Sequence, residues 1–196
     1  MPSSRTVVLA STSKYRRALL ERLGFPFECA DPKTDELALP GEAPGQTALR
    51  LAEAKARAAA RRFPDALIIG SDQVASCDGA RLEKPGTHEN AVRQLAALSG
   101  KTASFETAVA VLDAKANMLK ARLVPCNVTF RTLTAETIEK YLRKEKPYDC
   151  AGSAKAEGLG IALIARIETE DPTSLVGLPL IALTELLAAA GMPVLG

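Results

Sequence analysis

The apolar positions fall into short blocks separated by amphipathic stretches. Thr6–Ala10 (TVVLA) is a β-branched apolar run and predicts a buried strand. Ser11 to Ser13 follow as a polar turn. Ser13 is suited to cap a helix over Lys14–Leu23, which Gly24 closes. Phe27–Ala30 predicts a second short strand. Asp31–Gly45, rich in proline, glycine and acid, reads as a loop of about 15 residues, a length usually kept for function. Gln46–Phe63 has helical periodicity and abundant alanine, and Pro64 ends it. Ala66–Gly70 (ALIIG) predicts a fully buried strand, with Ser71, Asp72 and Gln73 at its carboxyl end.

In the second half, Glu89–Leu98 predicts an amphipathic helix stopped at Ser99-Gly100. Lys101–Ala114 and Leu119–Arg131 read as two long strands of a hairpin turning through Lys115 to Met118. Thr134 caps a helix running to about Lys144, with acids early and bases late, as the helix dipole prefers. Ala151–Gly160 is a loop of small residues, Gly160–Glu168 a weakly alternating strand, and Leu180–Ala190 a final helix. Alternating strands and helices followed by a hairpin predict an α/β fold with a mixed sheet. With no repeat, linker or low-complexity tract, one domain over residues 1–196 is expected, built as two lobes.

Composition narrows the function. The chain has 25 Lys+Arg against 23 Asp+Glu, a formal net charge of +2, too balanced for a protein that wraps nucleic acid electrostatically. Five Phe, three Tyr and no Trp argue against an extended base-stacking surface. A hydrophobic share of 47% is ample for a core and argues against disorder. Cys29, Cys77, Cys126 and Cys150 form no CxxC pair and fit no zinc spacing, so all four are expected to be buried, reduced thiols. Met1–Thr6 lacks the apolar core of a secretory signal, and no window is long and apolar enough to span a membrane. A cytoplasmic enzyme or binding protein is the expectation.

Candidate chemistry starts in the first strand–turn–helix unit, where Ser11, Ser13, Arg16 and Arg17 surround a helix start. Free backbone N–H groups, two hydroxyls and a guanidinium suit a polyphosphate, and cations there are otherwise disfavoured by the helix dipole. A capped helix with solvated arginines is the alternative. No Walker A lysine motif is present, which disfavours a P-loop NTPase. Asp72, at a strand's carboxyl end, could bind Mg²⁺ or take a proton from water, or simply serve as a turn aspartate. Asp35 and Glu36 in the long loop could complete a divalent-metal site or be solvated. Lys55 and Lys84 could neutralise phosphate oxygens or be ordinary surface lysines. His88, the single histidine, reads as a helix-entry residue without a catalytic triad.

Taken in order, LASTSKYRRALLERLG at 9–24, TDE at 34–36, RLAEAKA at 50–56, IIGSDQVA at 68–75, EKP at 83–85, CAGSAKAEGLGI at 150–161 and DPTSLVGLP at 171–179 resemble the Maf-like nucleotide pyrophosphatases. SDQV and AGSAKAEG look most like the branch acting on 7-methyl-GTP rather than dTTP or UTP. The resemblance implies a Maf/ITPase-like fold, an elongated mixed sheet flanked by helices in two lobes with a cleft. It also implies hydrolysis of a nucleoside triphosphate to monophosphate and pyrophosphate with Mg²⁺ or Mn²⁺, and a homodimer. It places Asp72 as general base. Ser11, Ser13, Arg16, Lys55 and Lys84 fall at phosphate-binding positions, and Glu36 shares the metal with Asp72. Tyr15, Gln73 and Glu157 fall at base-selecting positions. One departure stands out: the branch typically has Pro-Trp where this chain has Lys14-Tyr15, and tyrosine stacks less strongly. A dTTP/UTP-type enzyme and a division-linked nucleotide sensor with little turnover are the rival expectations.

Overall fold

The computed structural model describes residues 5–196. Its chain forms a seven-stranded mixed sheet with five α-helices among the described residues. β1 (Val7–Leu9) leads into α1 (Lys14–Glu21), then β2 (Glu28–Cys29), α2 (Pro44–Ala60) and β3 (Leu67–Cys77). β4 (Ala80–Leu82) precedes α3 (His88–Leu98), and β5 (Thr102–Asp113) and β6 (Met118–Phe130) follow as a hairpin. α4 (Ala135–Glu145), β7 (Ile164–Thr169) and α5 (Leu180–Ala189) complete the order. The strands lie in the sequence β2-β1-β3-β5-β6-β7, with β4 paired on β3. β1 is parallel to both β2 and β3, whereas β3–β4 and β6–β7 are antiparallel, so the sheet is mixed as expected.

The chain divides into two compact units. The first takes the stretch through Gln73, with Glu106–Val124 and Asp171–Gly196. The period-2 alternation of β1 builds three layers there. Val7 and Leu9 join Leu19 and Leu20 of α1 and Leu183 and Leu187 of α5 in one apolar cluster. Val8 and Ala10 join Ala56 and Ala59 of α2 in another. The second unit takes Val74–Phe105 and Pro125–Glu170. In it α3 packs on α4 and on a 3-10 turn at Ala151–Ser153.

Three sequence expectations change. The strand expected at Ala66–Gly70 runs on to Cys77, so Asp72 sits inside a long strand rather than at a carboxyl end. Asp72 is therefore not a turn aspartate, and both Ser71 and Asp72 are buried with partners. The strand instead ends at Asp78-Gly79, both at positive φ, in a tight hairpin to β4. Cys29 is exposed because β2 is the sheet's short edge strand, and Cys150 is only half-buried; Cys77 and Cys126 are buried, and all four thiols are free. The last strand starts at Ile164, not Gly160, because residues 159–163 form a 3-10 turn. No described helix is long and apolar enough to cross a membrane.

Candidate active site

Gly70 explains how the first unit brings its charged residues together. A Cβ there would lie 2.1 Å from the Ala52 carbonyl oxygen and 2.9 Å from the Ala56 nitrogen. Glycine therefore lets the α2 backbone rest directly on β3. That contact delivers Lys55, one position before Ala56, to Asp72, two positions after Gly70. The Lys55 ammonium is 2.6 Å from Asp72 Oδ1 and 2.6 Å from Glu36 Oε1. Lys55 and Asp72 are both buried, while the Glu36 side chain is 63% exposed, so the cluster opens to solvent on the loop side. Burying a lysine is costly unless it is paired, and two carboxylates supply that pairing.

The phosphate-cradle residues meet at the start of α1. Ser13 caps the helix, accepting from the Arg16 amide at 3.3 Å, and Ser11 Oγ accepts from the Ser13 amide at 3.1 Å. Each hydroxyl uses a lone pair in these bonds and keeps its hydrogen to donate. Arg16 Nε donates to the Gly177 carbonyl at 2.8 Å, which directs its other nitrogens elsewhere. Burial pushes the Arg16 guanidinium below its ordinary value, opposed by the charges of Asp72 and Glu36. Arg17 is different: it is exposed and pairs with Glu21 one turn on, at 3.0 Å, so it is a helix-surface residue. Tyr15 is half-buried, and the Lys14 ammonium stands 4.9 Å from its ring centroid, a cation on an aromatic face.

Gln73 is held by the segment after Asp171. Its Nε2 donates to Thr107 Oγ1 at 2.9 Å and to the Ser174 carbonyl at 2.9 Å, with the Leu175 carbonyl at 3.2 Å. Thr107 in turn donates to the Ser174 carbonyl at 2.9 Å, and Ser71 Oγ donates to that of Gly177 at 3.0 Å. The donor half of Gln73 is therefore already engaged, and a ligand would meet its Oε1 first. Asp171 builds this carbonyl platform. Its Oδ1 accepts from the Thr173 amide at 3.1 Å and the Thr173 hydroxyl at 2.6 Å, and its Oδ2 from the Ile181 amide at 2.6 Å. One buried carboxylate thus fixes the turn and caps α5. Asp171 and Thr107 were not singled out by sequence reasoning. The Asp-Pro-Thr order before a helix carried the signal for the first; nothing flagged Thr107.

The long loop is also tied down, by a pair that sequence reasoning missed. Arg50 of α2 reaches both carboxylate oxygens of Glu42, Nε at 2.6 Å and Nη2 at 2.7 Å, and Nη2 also donates to the Leu37 carbonyl at 3.0 Å. Thr47 Oγ1 and the Leu39 amide donate to Glu42 as well. The hydrogen bond from Arg50 is the main reason the Glu42 carboxyl falls from 4.5 to about 2. A depressed carboxyl stabilises the folded loop above its ordinary range and loses that contribution as pH falls toward the folded value. Acid titration should therefore loosen residues 31–42 only between about pH 4.5 and about 2. Arg50→Ala should bring that loosening up to neutral pH, read as faster proteolysis of the loop; equal protease resistance in both proteins would refute the anchor. Asp35, expected beside Glu36, caps the Leu37 amide at 3.0 Å instead.

The remaining expected residues lie in the second unit. Lys84 is exposed on the connection from β4 to α3. That connection is pinned by Gln94 Nε2 to the Glu83 carbonyl at 3.0 Å and by Asn90 Nδ2 to the Pro85 carbonyl at 2.8 Å. Nearby, His88 contacts Glu139 at 2.8 Å and the Tyr148 hydroxyl at 3.0 Å, a structural bridge at the entry of α3. Glu157 is exposed on a turn that Glu145 holds through the Leu159 amide at 2.8 Å and Lys155 Nζ at 3.2 Å. Gly158 leaves room for that carboxylate, since a Cβ would sit 2.8 Å from Glu145 Oε2.

A sequence profile of the Maf-like protein family matches residues 6–190. A protein of Polaromonas sp. named 7-methyl-GTP pyrophosphatase is 58% identical over 97% of this chain and 87% of its own length. One of Burkholderia thailandensis with the same name is 56% identical over 95% of this chain and 88% of its own. The solved Ham1 protein of Staphylococcus aureus superposes with a TM-score of 0.46 at 14% identity, over 65% of this chain and 73% of its own.

Proposed function

Because the chain belongs to the Maf-like family, we propose that it hydrolyses 7-methyl-GTP to 7-methyl-GMP and pyrophosphate, keeping a modified nucleotide out of cellular pools. The supporting observation on the chain itself is the shared buried cation: Lys55 joins Asp72 and Glu36 at 2.6 Å each, beside a capped helix start carrying Ser11, Ser13 and Arg16. In this reading the two hydroxyls, Arg16, Lys55 and Lys84 bind the phosphates. Asp72 takes the proton of the attacking water, and pyrophosphate leaves. Fixed cations around the breaking P–O bond supply most of the rate, as phosphoryl chemistry requires.

Among the described residues no three His, Cys, Asp or Glu gather as a metal site. Mg²⁺ beside phosphates commonly takes one or two protein carboxylates and fills the rest with water and substrate. Glu36 and Asp72, already converging on one cation, fit that requirement and would hold Mg²⁺ or Mn²⁺. Such an ion would neutralise phosphate oxygens when bound. Four free thiols suit a reducing, cytoplasmic setting, and a homodimer is inferred from the family resemblance alone.

Base preference rests on Tyr15, Gln73 and Glu157. N7-methylated guanine is cationic, and an aromatic face attracts a cation by about 0.5–2 kcal/mol. Glu157 can accept from guanine N1–H and N2–H₂, and its charge favours the cation. Tyr15→Ala should lower kcat/KM for 7-methyl-GTP relative to GTP by roughly 2- to 30-fold, the kinetic equivalent of that attraction. Tyr15→Trp should preserve or raise it. If both substrates lose equally in Tyr15→Ala, the ring is a packing residue and not a selector.

A further inference from the structure

A basic groove of about 560 Å³ runs along the flank of α2, within the first unit and apart from the Lys55 cluster. Its floor is small, Ala54 and Ala58, which leaves the helix surface open to a ligand. Around it stand Lys33, Arg57, Arg61 and Arg62, against a single acid, Asp31. Asp31 Oδ1 is turned to its own loop, accepting from the Lys33 amide at 3.0 Å. Arg57 Nη1 donates to Asn117 Oδ1 at 3.5 Å and the Arg62 guanidinium lies 5.5 Å from the Phe63 ring centroid, but neither contact neutralises the charge. Two other arginines of this unit are matched by acids, Arg17 by Glu21 and Arg50 by Glu42. A helix dipole favours bases in a last turn, which accounts for Arg57. It does not account for Lys33, which comes from the facing loop, nor for the convergence of all four on one hollow.

The three guanidinium groups supply planar, charged donors suited to phosphate oxygens, and Lys33 adds a fourth cation from the facing loop. We infer that this groove is a second anion site, taking a multiply charged phosphate group such as pyrophosphate. A nucleotide's phosphate chain offers the same chemistry.

Isothermal titration of the full-length protein with inorganic pyrophosphate, without added metal, tests this. Wild type should bind two equivalents. Arg57→Gln/Arg61→Gln should bind one, its groove affinity weakened by roughly tenfold or more through lost charge-assisted contacts. Lys33→Gln, on the loop, should weaken the same equivalent without touching the helix. Repeating the titration with saturating GTP separates the sources. Survival of the groove equivalent assigns it to free pyrophosphate, and its loss to a nucleotide's phosphate chain. Arg16→Ala should remove only the other equivalent; failure there would count against the catalytic reading and not against the groove. Pyrophosphate binding with the same number and affinity in wild type, Arg57→Gln/Arg61→Gln and Lys33→Gln would overturn the inference.

Discussion

Asp72→Asn is expected to abolish pyrophosphate release while the protein stays folded. Removing a general base costs roughly a hundred- to ten-thousand-fold in rate, and Asp72 also holds one side of the proposed metal position. The substitution is mild structurally. Asparagine keeps an oxygen that can accept from Lys55, now 2.6 Å from Asp72 Oδ1, and Glu36 keeps its own contact with Lys55. The buried lysine therefore retains a negative partner. The check pairs single-turnover pyrophosphate release with a thermal melt. A folded variant at full activity would remove Asp72 from the base role.

Gly70→Ala should give the second large effect, on stability and activity together. The added methyl would stand 2.1 Å from the Ala52 carbonyl oxygen, which is helix backbone and cannot rotate away. α2 must move off β3, at a cost of about 1–3 kcal/mol or more for overpacking. For a chain of this size that lowers Tm by about 3–10 °C. Lys55 moves with α2, and a displacement of about 1 Å from productive geometry can cost about a hundredfold in rate. Turnover should thus fall more steeply than the remaining folded fraction. An unchanged Tm with unchanged turnover would show that the close approach of α2 to β3 is not what seats Lys55.

Much of the first unit was legible because local signals agreed. The TVVLA run, the Ser13 cap and the apolar ALIIG block each form the element their pattern predicts. What the pattern hid was the continuation of β3. Ser71, Asp72 and Gln73 look like the polar end of a strand when polarity is read locally. They remain in a strand because Lys55, Thr107 and the carbonyls of Ser174 and Gly177 satisfy them from afar. The Asp78-Gly79 pair carries a hairpin turn signal of its own, and the strand ends there. Of the candidate site, Ser11, Ser13, Arg16, Glu36, Lys55, Asp72 and Gln73 lie in one unit. Arg16 and Gln73 stand at positions expected to contact a ligand, yet each also spends a donor on the backbone, at Gly177 and Ser174 respectively. The residues that escaped notice, Arg50, Glu42, Thr107 and Asp171, act on other protein groups, and such roles depend on tertiary contacts that spacing does not carry.

Substrate choice decides the proposed function. Steady-state kcat/KM for pyrophosphate release should be measured on 7-methyl-GTP, GTP, UTP and dTTP with Mg²⁺ in one series. 7-Methyl-GTP should be preferred over UTP and dTTP, with 7-methyl-GMP and pyrophosphate as the products. A rate on 7-methyl-GTP no better than that on UTP would contradict it.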